Sequence, residues 1–304
     1  MEWDILRSYT RRIRFINFNH GLDWESVKTF LRLPTTESFF PNLRYLDCDH
    51  ITYTIPLLHL PLPSLISLDF AFVFKKKPHV FEDSLQSFHA LAPHIKKLSI
   101  RIHQPDVAFD QIICNYICRW RNLQHMFCPA VSLDLDTLVY LSCIPTLTRL
   151  AFTLSSTLPD QIIPDSPLVF TNLRGLELHS HSLASISGFL SHTRLPVIMD
   201  LSAFIQSRVS KRKLSSFLTT LRTSGIGHII QELQLIQMRS SSADAIHVDL
   251  KLLPDFKDLQ PCMAFRSLRL LNLDIECNIV MTDCEALTLT SAWPHLERLV
   301  VSDR

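Results

Sequence analysis

The apolar residues of this chain fall into one short recurring pattern, Leu-x-x-Leu-x-Leu or an apolar variant, with polar residues between them. Ten copies start at Ile13, Leu43, Leu65, Ile95, Leu123, Leu147, Leu173, Ile230, Leu268 and Leu296, and most successive starts lie 22 to 30 residues apart. A degenerate eleventh copy, Ile198-x-x-Leu201-x-Ala203, divides the long interval after Leu173, with its neighbours starting 25 and 32 residues away. A unit this short cannot bury its apolar face alone and does so by stacking on the next copy, which makes a solenoid. Each copy predicts a short strand whose first, fourth and sixth positions point inward while the positions between them face outward.

The segments between copies carry helical periodicity. Asp106 precedes Phe109, Ile112, Ile113, Tyr116, Ile117 and Trp120 at helical spacing, which predicts a capped helix. Ser210 precedes Leu214, Phe217, Leu218 and Leu221, with Gly225 past the end. Shorter helices are expected around Leu85, Phe88 and Leu91, over Asp136 with Leu138 and Leu141, and over Trp24, Val27 and Leu31. Strand then helix, repeated, predicts an α/β solenoid spanning residues 1–304 as one domain, curved, with parallel strands on the concave side and helices on the convex side. Two stretches, Leu158 to Pro167 and Arg239 to Pro261, read as surface loops inserted between repeats.

Composition narrows the class. The chain is 47% apolar and 19% charged, which disfavours disorder, and a formal net charge of +1 argues against a dedicated nucleic-acid or membrane-surface binder. The eight cysteines lack a compact disulfide framework, and several occupy small apolar positions of the repeat, as Cys48 and Cys128 do. There is no Asn-x-Ser/Thr sequon, and the most apolar stretch, Ile51 to Phe74, is interrupted by Pro56, His59, Pro61, Pro63 and Asp69. A reduced cytoplasmic or nuclear setting, with no membrane span, is expected.

The segments Phe40-Pro-Asn-Leu43-Arg-Tyr-Leu46, Phe170-Thr-Asn-Leu173-Arg-Gly-Leu176 and Trp293-Pro-His-Leu296-Glu-Arg-Leu299 resemble the irregular, helix-containing leucine-rich repeats of F-box proteins, a set abundant in mushroom-forming fungi. The opening Trp3, Tyr9, Arg12 and Ile13 is similar to the stretch that follows the F-box in such proteins. The resemblance implies a leucine-rich-repeat solenoid that recognises a client protein for a ubiquitin ligase. It also implies a second partner, a Skp-type adaptor docked through an N-terminal F-box, and no F-box is recognisable in these residues. Position nine of the unit, often Asn in regular leucine-rich repeats, is Ile51 in one copy and His181 in another, so irregular turns are expected.

Motifs for catalysis are absent: there is no G-x-S-x-G elbow, no phosphate-binding G-x-x-x-x-G-K-S/T, no H-E-x-x-H and no Rossmann glycine run. No enzyme activity and no cofactor are expected. Cys114, Cys118, His125 and Cys128 have the ligand types for zinc, but strand alternation sends His125 and Cys128 to opposite faces. Two short basic runs, Lys75 to Lys77 and Arg208 with Lys211 to Lys213, read as a solvated loop and a helix start rather than a nucleic-acid patch.

The outward strand positions carry the functional expectation. In the early copies they are Tyr45, Asp47, Asp49, Ser67 and Asp69, and in the middle copies Lys97, Ser99, Arg101, His125, Phe127 and Arg149. Later copies add Glu177, His179, Glu232, Asn272, Asp274 and Arg298. This face would be acidic near the N-terminus and basic in the middle, suited to a protein partner held by charge complementarity and a few anchor contacts. The rival readings are a leucine-rich-repeat scaffold with no ligase link, an incomplete gene model, and a nucleic-acid binder acting through the basic runs.

Overall fold

The computed structural model describes residues 2–17, 38, 40–48, 62–72, 82, 85–86, 94–102, 107–155, 167–238, 254–277, 279 and 282–301. They fall into two compact units, Met1–Leu133 and Asp134–Arg304.

In the first unit α1 (Glu2–Thr10) leads into β1 (Phe15–Asn17), β2 (Tyr45–Cys48), β3 (Ser67–Phe72), β4 (Lys97–Ile102), α2 (Val107–Ile117) and β5 (His125–Ser132). The five strands lie in chain order and are all parallel. Their register does not slip, so Phe15, Tyr45, Ser67, Lys97 and His125 form one outward row. Asn17, Asp47, Asp69, Ser99 and Phe127 form the next. Leu46, Leu68, Leu98 and Met126 make the inward row between them, each no more than 3% exposed. Burial of this kind stabilises by about 1.5–3 kcal/mol per side chain, and a one-residue slip would turn the whole row to water.

The second unit contains α3 (Leu135–Ser142), β6 (Arg149–Thr153), β7 (Leu168–Val169), β8 (Gly175–Ser180), α4 (Leu183–Ser191), β9 (Thr193–Arg194), β10 (Asp200–Ile205) and α5 (Lys211–Thr223). A 3-10 turn (Ile226–His228), β11 (Glu232–Gln237), a 3-10 helix (Phe256–Ala264), β12 (Leu270–Asp274), α6 (Asp283–Ala292) and β13 (Arg298–Val301) complete it. Strands β6, β8, β10, β11, β12 and β13 run parallel in that order, while β7 and β9 pair separately. The inward side packs on helices, as where Phe152 of β6 meets Phe189 of α4 edge-on at 5.8 Å. The last strand departs from the others: Leu299 and Val301, at inward positions buried in earlier copies, are exposed.

All eleven copies form strands, the degenerate one included, and each strand begins two residues after the first apolar position. In seven copies among the described residues that first residue closes a tight turn, its N–H donating to the carbonyl three residues back, as from Leu43 to Phe40, Leu65 to Leu62, Leu268 to Phe265 and Leu296 to Trp293. The residue at that earlier position is itself apolar and buried in Leu62, Ile144, Phe170, Leu195, Phe265 and Trp293. The true unit is therefore three residues longer than the pattern in the sequence. Between these two positions Asn42 donates its amide to the Arg11 carbonyl at 2.7 Å, and Asn172 does the same to Pro145. These two bonds tie the entry turn of each repeat to the one before it.

Several helical expectations need correction. α2 ends at Ile117, and Trp120 is buried past its end rather than within it. α3 is capped by Asp134, which accepts from the Thr137 N–H at 2.8 Å, and Asp136 lies in its first turn. Ser210 occupies the N-cap of α5 without a side-chain cap bond, and Gly225 follows the helix at φ +80°, where only glycine is unstrained. The stretch Asp255 to Asp258, expected in a loop, is a capping box that starts the 3-10 helix. Asp106, the segment over Trp24, Val27 and Leu31, and Phe88 with Leu91 lie outside the described residues, as do most of the two expected loops.

Candidate protein-binding face

Parallel strands in register bring residues 22 to 38 positions apart in the chain into direct lateral contact. On the outward face of the first unit this creates a hollow of about 590 Å³ over β2 to β5. Asp47, Ser67, Asp69, Lys97, Ser99, Arg101, His125 and Phe127 contribute its side chains. Ser67 and Ser99 are the short side chains that give it depth, and the larger groups stand around them.

Its charges are organised. Asp47 and Asp69 are directly opposite each other on β2 and β3, an arrangement that repels. Arg101, one strand further, offsets that repulsion: its guanidinium lies 3.1 Å from Asp69 Oδ1 and 3.5 Å from Asp47 Oδ1. Asn17 donates its amide to the other Asp47 oxygen at 3.0 Å. The acidic and basic zones expected to be separate are thus joined into one network, and Arg101 is already engaged. Lys97 and Phe127 remain exposed at the other side of the hollow.

In the second unit Arg149 of β6 reaches over Gly175 to Asp200 of β10, 3.6 Å away. His179 lies 2.8 Å from Glu177 and stacks on Phe204, with ring centroids 4.5 Å apart and nearly parallel. Asn272 and Asp274 are half-buried on β12, the Asn272 Oδ1 without a hydrogen-bond partner among the described residues. Glu232 is half-buried at the start of β11, directly opposite Asp200, and Arg298 is exposed at the start of β13.

Of the residues expected on the binding face, Asp47, Asp69, Lys97, Arg101, His125 and Phe127 converge in the hollow, and Tyr45 stands beside it in the row of Ser67 and Lys97. Arg149, Glu177, His179, Asn272, Asp274 and Arg298 belong to the second unit, and Asp49 lies outside the described residues. Asp200 and Phe204 were missed. Both occupy outward positions of the degenerate eleventh copy, so its register was the signal that could have found them.

The other candidate chemistry resolves locally. His125 is on the outward face while Cys128 is fully buried on the inward one, and Cys114 points its thiol toward the Ser132 carbonyl. Burial pushes the Cys128 thiol far up from its ordinary range and that of Cys262 up to about 12, so both stay protonated. In the basic run, Arg208 pairs with Glu276 and Lys211 with Asp255, leaving Arg212 and Lys213 exposed. No helix among the described residues is long and apolar enough to cross a membrane.

Parallel strands entered through tight apolar turns, with helices against their inward side, define an α/β leucine-rich-repeat solenoid. Among solved structures the chain is similar to one in the crystal structure of the Rad7 and Elc1 complex in yeast, at 13% identity and a TM-score of 0.50, covering 93% of this chain and 74% of that one. It is also similar to an internalin, inlF, from Listeria monocytogenes strain 4b F2365, at 11% identity and a TM-score of 0.42, covering 98% and 76%. No family model matches the sequence, and no curated protein matches it significantly.

Proposed function

We propose that the chain is a recognition module that binds a protein partner on the outward, concave face of its strands and has no active site of its own. The observation that carries this is the hollow of the first unit, where six of the expected contact residues gather around two serines. Charged groups held in fixed cross-strand geometry give a partner orientation and specificity, and exposed Phe127 offers an anchor. The solved structure of similar fold is of a protein in complex with another protein, which supports the same reading.

Within this reading the chain is the substrate-recognition part of an F-box-type ubiquitin-ligase receptor in the cytoplasm or nucleus, as the likeness of its segments at Phe40–Leu46, Phe170–Leu176 and Trp293–Leu299 to F-box repeats suggests. Any chemistry would then belong to other subunits.

Affinity capture of the tagged chain from its native extract, with mass spectrometry of the retained proteins, tests both levels. Adaptor and cullin subunits retained with a client would support the ligase receptor. A client without adaptor would leave a free-standing recognition scaffold, and retention of no protein at all would overturn the proposal.

A further inference from the structure

Resting on the protein-binding reading, we infer that the first-unit hollow takes an acidic segment of the partner chain, with a Glu or Asp carboxylate at Lys97 and an apolar side chain beside it on Phe127. Lys97 is exposed on β4 and makes no ion pair among the described residues. Its neighbours in the same outward row are Ser67 and His125, with Tyr45 beyond Ser67, so the row offers an ammonium, two hydroxyls and an imidazole, and no carboxylate.

The acids of the hollow sit in the next row. Asp47 and Asp69 are held by the Arg101 guanidinium, and neither makes an ion pair with Lys97. Counting Asp47 and Asp69 as −2 and Lys97 and Arg101 as +2, the hollow is neutral overall: the two aspartates with Arg101 carry −1, and Lys97, which makes no direct ion pair with them, carries +1. A single-charged carboxylate matches that cation. A phosphate dianion would bring a second negative charge beside two aspartates, which disfavours a phosphorylated segment. Phe127, 39% exposed and two residues along β5 from His125, supplies the apolar contact. A charge pair closed over by a partner inside a hollow couples more strongly than one on open surface.

The test selects a displayed library of short random peptides on the whole chain. Affinities of individual synthetic peptides are then measured on wild type, Lys97→Glu, Lys97→Arg and Phe127→Ala. Selected peptides should be enriched in Asp or Glu next to an apolar residue. Lys97→Glu should weaken them by roughly tenfold or more, Lys97→Arg should retain them, and Phe127→Ala should weaken those with the largest apolar neighbour most. Lys97 and Phe127 are solvent-exposed, so these substitutions leave the buried rows untouched. Selection without acidic enrichment, no selection at all, indifference to Lys97→Glu, or tighter binding of phosphoserine in place of the carboxylate would each overturn the inference. None of these touches the broader reading, which stands or falls on the capture experiment. A natural partner retained equally by the Lys97→Glu chain would place recognition elsewhere on the molecule and remove only the acidic segment.

Discussion

Arg149 crosses over Gly175, its Cγ 3.3 Å from where a Cβ on that residue would stand, and ends 3.6 Å from Asp200 on the strand beyond. The missing side chain at Gly175 opens the path between two residues that are not on adjacent strands. A double-mutant cycle on Arg149 and Asp200 should give a coupling below about 1 kcal/mol, since the pair is well exposed. The same cycle in a Gly175→Val background should give none. A coupling that survives the valine would show that the arginine has another route.

Arg101 holds two carboxylates, so reversing its charge does more than alter a binding surface. Arg101→Glu puts a third negative group beside Asp47 and Asp69 and should destabilise by roughly 1 kcal/mol, more than Arg149→Glu. Urea midpoints at low salt measure this, and the difference should shrink at about 0.5 M salt, where exposed charges are screened. Arg101→Met is the cleaner probe of recognition.

The Lys211–Asp255 pair ties the start of α5 to the cap of the 3-10 helix. The hydrogen bond from Lys211 holds the Asp255 carboxyl below its usual range, and the same bond raises the Lys211 ammonium. A carboxyl lowered in the folded state stabilises above its unfolded value near 3.8, and that contribution is lost as pH falls through the lower folded value. A raised lysine stabilises below 10.5 and loses its contribution as pH rises through the higher folded value. Thermal melts of wild type and Lys211→Met should therefore differ at neutral pH and converge in strong acid and strong base. A constant difference across pH would show that the ion pair is not its cause.

Gly227 occupies the apolar turn position of its repeat, and a Cβ there would enter the ring of Phe265 from the following one. Phe265 is fully buried and cannot move aside freely. Gly227→Ala should cost about 1–3 kcal/mol by overpacking, and Phe265→Leu in the same chain should recover part of it. Denaturant titration of the single and double variants would show this, and additive losses would refute the contact.

Thiol labelling of the native chain should separate two classes of cysteine. Exposed Cys143 and Cys284 should react with a small disulfide reagent at pH 8, while buried Cys48, Cys114, Cys128, Cys262 and Cys277 should wait for unfolding. Burial keeps Cys128 and Cys262 protonated, so raising the pH to 9 should not expose them to reagent. Native labelling of Cys128 would mean that the inward row opens.

What could be read from the sequence was the strand framework. Leu-x-x-Leu-x-Leu located eleven of the thirteen strands among the described residues and divided their inward from outward positions, because alternation along a strand is local and each copy repeats it. The apolar turn position of Phe40, Leu62 and Phe265 escaped, since the chain reverses between it and the strand and no single period spans both. The helix over Leu138 and Leu141 was legible from their spacing, but its cap, Asp134, was not, because a cap is defined by backbone geometry rather than by residue type.

The sequence alone determined that Asp47, Asp69, Lys97, Arg101 and Phe127 would face outward together. Only the tertiary structure decided that Arg101 joins both aspartates, that Arg149 passes Gly175 to Asp200, and that Lys97 stays outside the ion pairs of Arg101. The physical reason is reach. Facing is settled within one strand by the direction of alternate side chains, whereas pairing depends on long side chains reaching neighbouring strands to residues that lie 32 to 54 positions away in the chain.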